Sequence, residues 1–275
     1  MIAMHPQASL FQRTGLALAE ALRHDIGADK GTVGTGAGRG SDLLVGSIKG
    51  YQLPDSIDRT RLRSPHSAAA LAINTFLPWH KAPDKLPIAG WRGFEEIQFE
   101  VRCPTGLRGT PPHLDLLALR DGTAVAVTVR CIEYLSRRKS TVASSYDRLL
   151  AATPGLQPWL DQLEHIRAAR SDFRHVDFGA LVKYALALGR TFPDRSTILL
   201  YLYWEPLDAD RFEDFRRHRA ELAQLTAALQ DARVTLVAET FRALWQNWAE
   251  YQEPAWLAAH VESLRSRYDV SVGRY

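Results

Sequence analysis

Residues 113–130 read HLDLLALRDGTAVAVTVR, two short apolar runs on either side of Asp121-Gly122. An Asp-Gly pair between two hydrophobic runs is typical of a tight β-hairpin, and we expect a type I′ turn with positive φ at both positions. In such a hairpin Arg120 pairs with Thr123, and every other pair then follows from that one. The turn therefore predicts the register of the whole segment.

This register places four polar side chains on one face of the hairpin. Asp115 lies opposite Thr128, and His113 lies opposite Arg130, because side chains alternate along each strand. The other face carries apolar side chains, namely Leu114, Leu116, Val125, Val127 and Val129. A buried carboxylate must be paired, hydrogen-bonded or bound to a metal. We therefore expect the chemistry of the protein at this hairpin.

The composition is that of an ordinary globular protein. The 275 residues are 46% hydrophobic and 24% charged, with a formal net charge of +3 that permits a nucleic-acid partner without requiring one. Neither a membrane span nor a signal peptide is evident. Cys103 and Cys131 are too few for a disulfide scaffold or a zinc site, so we expect a reducing cytoplasmic location.

Hydrophobic periodicity predicts a mixed α/β fold, an α+β type of sheet flanked by helices. We expect strands at 95–103, 113–120, 123–130, 198–204 and 234–238. We expect helices at 7–25, 64–76, 144–152, 156–170, 177–190, 208–229, 239–250 and 254–268. The first three strands form an antiparallel meander, and the last two form a parallel pair joined by a right-handed crossover. Ser64 and Pro65 are expected to begin the second helix.

We expect an N-terminal unit at 1–60, which consists of a helix and a glycine-rich connector, and an α/β domain at 61–275. The connector, GTVGTGAGRG at 31–40, has no preceding strand and no lysine of the phosphate-loop type, so we interpret it as a linker. Arg59, Arg61 and Arg63 form a basic cluster that we interpret as solvated surface.

Four segments, in order, resemble a known family. They are HSAAALAINTF, then FEVRC followed by HLDLLAL, then VAVTVRCIEYL, and finally ILLYLYWEP with the later ALWQNW. Together these segments resemble the PD-(D/E)XK nuclease superfamily, and most closely a poorly characterised bacterial branch of it. The resemblance spans residues 64–250 and implies a restriction-endonuclease-like fold.

The resemblance implies Mg²⁺-dependent phosphodiester cleavage, with departures at the central motif. Asp115 corresponds to the metal-binding aspartate, and Glu133 corresponds to the outer glutamate. Thr128 stands where the family has a glutamate, and Arg130 stands where it has a lysine. Threonine is a poor Mg²⁺ ligand and arginine cannot act as a base, although it can hold a phosphate. His113 is a candidate general base or ligand beside them.

Two interpretations of these departures follow. In the first, Glu96 or Glu100 supplies the second carboxylate beside Asp115 for Mg²⁺, and Lys183 reaches the site from a helix. In the second, the site is degenerate, and Arg130 forms a buried ion pair with Asp115 in place of the metal.

The same alternatives extend to the partner. The first hypothesis is a DNA-associated, nuclease-like protein with weak or lost cleavage, in which Arg137, Arg138, Lys139 and Lys183 contact phosphates. The second is a catalytically inactive protein-interaction module on a nuclease-like fold. The sequence gives neither the substrate nor the oligomeric state.

Overall fold

The computed structural model describes residues 8–27, 43–136, 141–168 and 173–273. One five-stranded sheet lies at its centre, with the strands in sequence order: β1 (Glu96–Arg102), β2 (His113–Arg120), β3 (Thr123–Arg130), β4 (Ser196–Tyr203) and β5 (Val234–Thr240). The pairs β1–β2 and β2–β3 are antiparallel, and the pairs β3–β4 and β4–β5 are parallel. The predicted mixed sheet flanked by helices is confirmed.

Helices cover both faces of the sheet. In the described ranges they are α1 (Leu10–Gly27), α2 (Ala68–Phe76), α3 (Ser145–Ala152), α4 (Gln157–Ala168), α5 (Phe178–Thr191), α6 (Glu213–Ala228), α7 (Phe241–Ala249) and α8 (Leu257–Tyr268). One core cluster lies between the sheet and α1, α2, α7 and α8, and a second lies between the sheet and α3 to α6. Among these helices none combines the length and apolar composition that a membrane span requires.

The N-cap of the second helix lies three residues after the predicted Ser64. Ser67, not Ser64, is the N-cap of α2, because its hydroxyl oxygen accepts the N–H of Ala70 at 3.0 Å. Ser64 instead contributes its carbonyl to a turn that the N–H of Ser67 closes. Of the two serines, Ser67 is the one whose hydroxyl reaches a free N–H of the first helical turn, and it is therefore the N-cap.

The hairpin has the predicted register near its turn, but the predicted pairs Asp115–Thr128 and His113–Arg130 are not part of the observed β2–β3 register, and the turn is of a different type. Arg120 pairs with Thr123, and the pairs continue to Leu116 with Val127. Gly122 has a φ of 66°, but the only non-glycine residues with positive φ in the described ranges are Ala89 and Glu100. The type I′ prediction is therefore wrong at Asp121, since one left-handed glycine at the second central position is the pattern of a type II turn.

The alternation of side chains breaks near the N-terminal end of β2, where Asp115 lies. Leu116 packs in the first core cluster, whereas Leu114 packs in the second, although strict alternation predicted one face for both. The same switch occurs across the strand pair in β1, where Glu100 has a φ of 54°. A left-handed glutamate inside a strand costs free energy, about 1 kcal/mol or more, and such strain concentrates at functional sites.

Candidate functional site

The candidate site lies at the carboxyl edge of the parallel strands. β3 ends at Arg130 and β4 ends at Tyr203, and β2 begins beside them at His113. Ligands of open α/β sheets bind at this edge, because the loops there present side chains and backbone groups to solvent.

Asp115 is a buried acid at the centre of the site. Its side chain is 5% exposed, and its Oδ2 accepts the N–H of Val129 at 2.7 Å. The carboxylate oxygen therefore accepts a hydrogen bond from the β3 backbone, just beyond Leu116–Val127, the last regular pair of β2 and β3. Burial raises the pKa of Asp115 by more than the Val129 hydrogen bond and the positive charges of Arg130 and Arg61 lower it.

A second carboxylate lies across the strand pair. Phe99 pairs with Leu116 and Val101 pairs with Leu114, so Glu100 stands opposite Asp115. The Glu100 side chain is also only 5% exposed. Sequence reasoning named Glu100 as a candidate second carboxylate, and the structure brings it to the site.

An arginine joins these two carboxylates. Nη1 of Arg61 lies 2.7 Å from Oε1 of Glu100, and Nη2 lies 3.6 Å from Oδ1 of Asp115. Nη1 also lies 2.8 Å from Nδ1 of His113, and since a guanidinium has no acceptor, Nδ1 must be the acceptor of that bond. One partly exposed guanidinium thus contacts three members of the site.

The segment around Arg61 is held in place from both sides. Arg61 belongs to the 3-10 helix Arg59–Leu62, whose N-cap is Asp58. Oε2 of Glu100 accepts the N–H of Asp58 at 2.8 Å, and the Ser67 hydroxyl donates to the carbonyl of Arg61 at 2.6 Å. Glu100 therefore fixes both the backbone and the side chain of the segment that closes the site.

Arg130 turns away from the acid that it was expected to pair with. Its Nη1 donates to Oγ1 of Thr128 at 2.8 Å and to the carbonyl of Val129 at 2.7 Å. The guanidinium also lies 5.7 Å from the ring centre of Tyr201. Within the described residues the ion pair to Asp115 is made by Arg61, so the expected Arg130–Asp115 pair is wrong. Arg130 acts on that carboxyl only through its field.

Glu133 lies just beyond the hairpin and contributes to the field of the site. Its Oε2 accepts the N–H of Cys131 at 2.6 Å. Its charge acts to raise the pKa of Asp115 and that of His66, although burial lowers the pKa of His66 overall. His66 lies beneath α1, where its ring meets Phe11 edge-on at 6.0 Å. The first helix therefore covers one flank of the site.

The cationic candidates are less well placed. Lys183 lies half-buried on α5, and its ammonium group makes no hydrogen bond or ion pair with another described residue. Its neighbour Tyr184 donates instead to the carbonyl of His113 at 3.0 Å, which ties α5 to the start of β2. Arg137, Arg138 and Lys139, like the glycine-rich stretch at 31–40, lie outside the described residues.

The donor set does not fit Mg²⁺ as it stands. Each carboxylate has one oxygen directed to Arg61 and the other engaged by a backbone N–H, and Thr128 is bonded to Arg130. A guanidinium between two carboxylates supplies the positive charge that a metal would supply. In keeping with this, the described residues contain no group of three or more His, Cys, Asp or Glu placed to hold a metal.

Arg61 is the residue that sequence reasoning missed. The cluster of three arginines was interpreted as surface, and Arg59 is indeed exposed. The one signal in the sequence was the position of the cluster, which directly precedes the capped helix α2. Nothing in the spacing distinguishes Arg61 from its two neighbours, which are two residues away on either side.

Glu205 is a second missed residue, at the same edge of the sheet. It follows β4, its side chain is 7% exposed, and Arg219 lies 3.7 Å from its Oε1. Burial raises its pKa to about 7, although Arg219 and Arg242 lower it in part. A buried carboxyl that titrates near neutral pH is a functional-site candidate on physical grounds.

We expect Glu205→Gln to raise the free energy of unfolding by about 2 kcal/mol at alkaline pH, because glutamine removes a poorly compensated buried charge. The pKa of Glu205 is higher in the folded state, so the wild-type chain loses stability as pH rises from about 4.5 to about 7, and the variant does not. Urea unfolding over this range measures the difference. The exposed Glu262→Gln is the control, and a pH-independent effect of Glu205→Gln would contradict the assignment.

The chain was also compared with known proteins. No family model, no curated protein and no solved structure matches it. The fold and the geometry of the site are therefore the basis for any functional assignment.

Proposed function

We propose that this chain is a nuclease-like protein of the restriction-endonuclease type that associates with DNA and has lost phosphodiester cleavage. One observation carries the proposal: a guanidinium joins two buried carboxylates at the splayed end of the hairpin, where the resemblance expects catalytic Mg²⁺. Asp115 and Glu100 are the proposed remnants of the metal site, and Arg61 is the group that has replaced the ion.

The remaining motif positions support loss of cleavage. Thr128 and Arg130 satisfy each other by a direct hydrogen bond, so neither is available to a metal or an attacking water. Arg130 keeps its charge, because burial lowers the pKa of a guanidinium too little to deprotonate it and the nearby Asp115 carboxyl acts in the opposite direction. A permanent cation can hold a phosphate but cannot take a proton from water.

DNA is the proposed partner because the site retains cations at the edge where a phosphate would approach. The Arg61 side chain is 36% exposed, so its guanidinium pairs with the buried carboxylates and is also accessible to a phosphate from solvent. Arg137, Arg138, Lys139 and Lys183 are the proposed further phosphate contacts. Binding that depends on such contacts weakens steeply as salt rises.

A nicking assay on supercoiled plasmid tests the enzymatic part. We expect no cleavage with Mg²⁺ or Mn²⁺ by the wild-type chain, and the same result with Asp115→Ala. Metal-dependent nicking by the wild type that disappears in Asp115→Ala would overturn the loss of cleavage.

DNA binding is tested separately, by fluorescence anisotropy with a duplex at increasing salt. We expect DNA affinity to fall by a factor of about 10 or more from the lowest to the highest salt concentration. We expect Lys183→Gln to reduce the slope of log affinity against log salt by about 1. The matched control is Lys49→Gln, at an exposed lysine outside the site. Absence of binding at low salt would overturn the DNA proposal and favour the protein-interaction module.

A further inference from the structure

A cavity lies on the sheet face that α7 covers. Its volume is about 360 Å³, in the range of small-molecule sites. Its walls come from the loop 87–92, from Arg120 at the hairpin end of β2, from Glu239 near the end of β5, and from α7 and Tyr251. Neither Asp115 nor any of its partners lines it, so this cavity is separate from the site described above.

The cavity contains a carboxylate without a partner. Glu239 is half-buried, and its carboxylate forms no hydrogen bond or ion pair with any described residue. Burial alone raises its pKa, and no neighbouring positive charge opposes that effect. A desolvated carboxylate without compensation is costly, and a ligand that donates hydrogen bonds to it would remove the cost.

Two arginines line the same cavity without closing on that acid. The Arg92 guanidinium lies 3.8 Å from the ring centre of Tyr251, and that of Arg120 lies 4.9 Å from the ring centre of Trp91. Nη1 of Arg120 also donates to the carbonyl of Arg92 at 2.7 Å. Neither guanidinium forms an ion pair with a described carboxylate, so each keeps free N–H donors at fixed positions.

This arrangement specifies a ligand with two different ends. The arginine end matches a phosphate, which a guanidinium binds through paired N–H donors. The Glu239 end matches a group with adjacent N–H donors, because a carboxylate accepts two parallel hydrogen bonds. Arg120 covers part of the Trp91 ring and Arg92 covers part of the Tyr251 ring, so a flat ring would pack against the aromatic surface that remains open, above all on Trp91, which is 37% exposed.

We propose that this cavity binds a guanine mononucleotide, with the base directed to Glu239 and the phosphate held by Arg92 and Arg120. Guanine carries N1–H and the N2 amino group side by side on one edge, which suits a carboxylate. Adenine presents the N1 acceptor at the corresponding position, and a carboxylate repels it. The proposal does not depend on the nuclease-like assignment, since it uses none of the same residues.

Isothermal titration calorimetry on the full chain tests this, with GMP, AMP and inorganic phosphate as probes. We expect GMP to bind, AMP to bind at least about 10-fold more weakly, and phosphate to bind most weakly of the three. Absence of GMP binding, equal binding of GMP and AMP, or phosphate binding as tightly as GMP would each overturn the proposal.

Two variants assign the ends of the ligand. Glu239→Gln is expected to weaken GMP about 10-fold and to leave AMP within about 3-fold, because a glutamine cannot accept both base donors. Arg120→Gln is expected to weaken GMP and AMP alike. Glu250→Gln, at an exposed glutamate just after α7, is the matched control. Thermal unfolding confirms that each variant is folded, and a folded Glu239→Gln that binds GMP like the wild type would contradict the base assignment.

Discussion

Arg61→Ala is expected to lower the free energy of unfolding by about 2 kcal/mol at neutral pH, because it leaves two buried carboxylates without their shared cation. The estimate is below the value for a fully buried pair, since the Arg61 side chain is 36% exposed and water can enter in its place. Glu100 and Asp115, each 5% exposed, cannot turn to solvent. Urea unfolding monitored by tryptophan fluorescence measures the loss.

The pH dependence of that loss identifies its cause. Burial already raises the pKa of Asp115 above the ordinary value of 3.8, and removal of Arg61 raises it further. The folded variant therefore takes up protons more readily than the unfolded chain, and its deficit shrinks as pH falls towards that value. Asp115→Asn added to Arg61→Ala is expected to restore part of the stability at neutral pH.

A neighbouring arginine supplies the control for this experiment. Arg59 belongs to the same 3-10 helix and is exposed, so Arg59→Ala should change stability by less than about 0.5 kcal/mol. An Arg61→Ala variant as stable as Arg59→Ala, with a deficit independent of pH, would show that the guanidinium does not compensate the two carboxylates.

Trp248→Ala is expected to cost about 4 kcal/mol, the largest effect among the substitutions considered. Trp248 is fully buried, and its ring meets Phe76 at 5.8 Å and Trp79 at 5.0 Å, both edge-on. Its Nε1 donates to the carbonyl of Pro87 at 2.8 Å. This one side chain therefore joins α7 to the end of α2 and to the loop that precedes β1.

Two comparisons separate these contributions. Trp248→Phe keeps an aromatic ring but removes the indole donor, so we expect an intermediate loss. Trp91→Ala, at a tryptophan that is 37% exposed, should cost less than about 1 kcal/mol. Calorimetric or urea-induced unfolding of the three variants gives the values. A Trp248→Ala chain that unfolds like Trp91→Ala would contradict the packing described.

The hairpin shows which part of the fold local sequence determines. Its register follows from Arg120 and Thr123 flanking a two-residue turn, and all five strands lie where periodicity predicts them. The turn type was predicted wrongly, because Asp-Gly is compatible with more than one turn and only Gly122 adopts positive φ. The sequence pattern therefore predicts the pairing of the strands more reliably than it predicts the backbone conformation of the turn.

The site shows what local sequence cannot determine. Asp115 was identified because a polar residue inside an apolar strand is visible in the pattern, whereas Glu100 was named only as an alternative to Glu96. Their partner was not identified, because Arg61 is separated from Glu100 by 39 positions in the sequence, and two other arginines, Arg59 and Arg63, lie two residues away on either side of it. The alternation of side chains also reverses at the left-handed Glu100. Counting along β2 from the turn therefore assigns the wrong face of the sheet to residues that precede Leu116 in the sequence.

We propose that Arg61 occupies the position between Glu100 and Asp115 that a metal would take in a nuclease-like site. A crystal structure grown with excess Mn²⁺, with anomalous data collected for manganese, tests it most directly. We expect guanidinium density of Arg61 between Glu100 and Asp115 and no manganese peak within coordination distance of either carboxylate. A manganese peak bridging the two carboxylates, with the Arg61 side chain displaced, would contradict the claim.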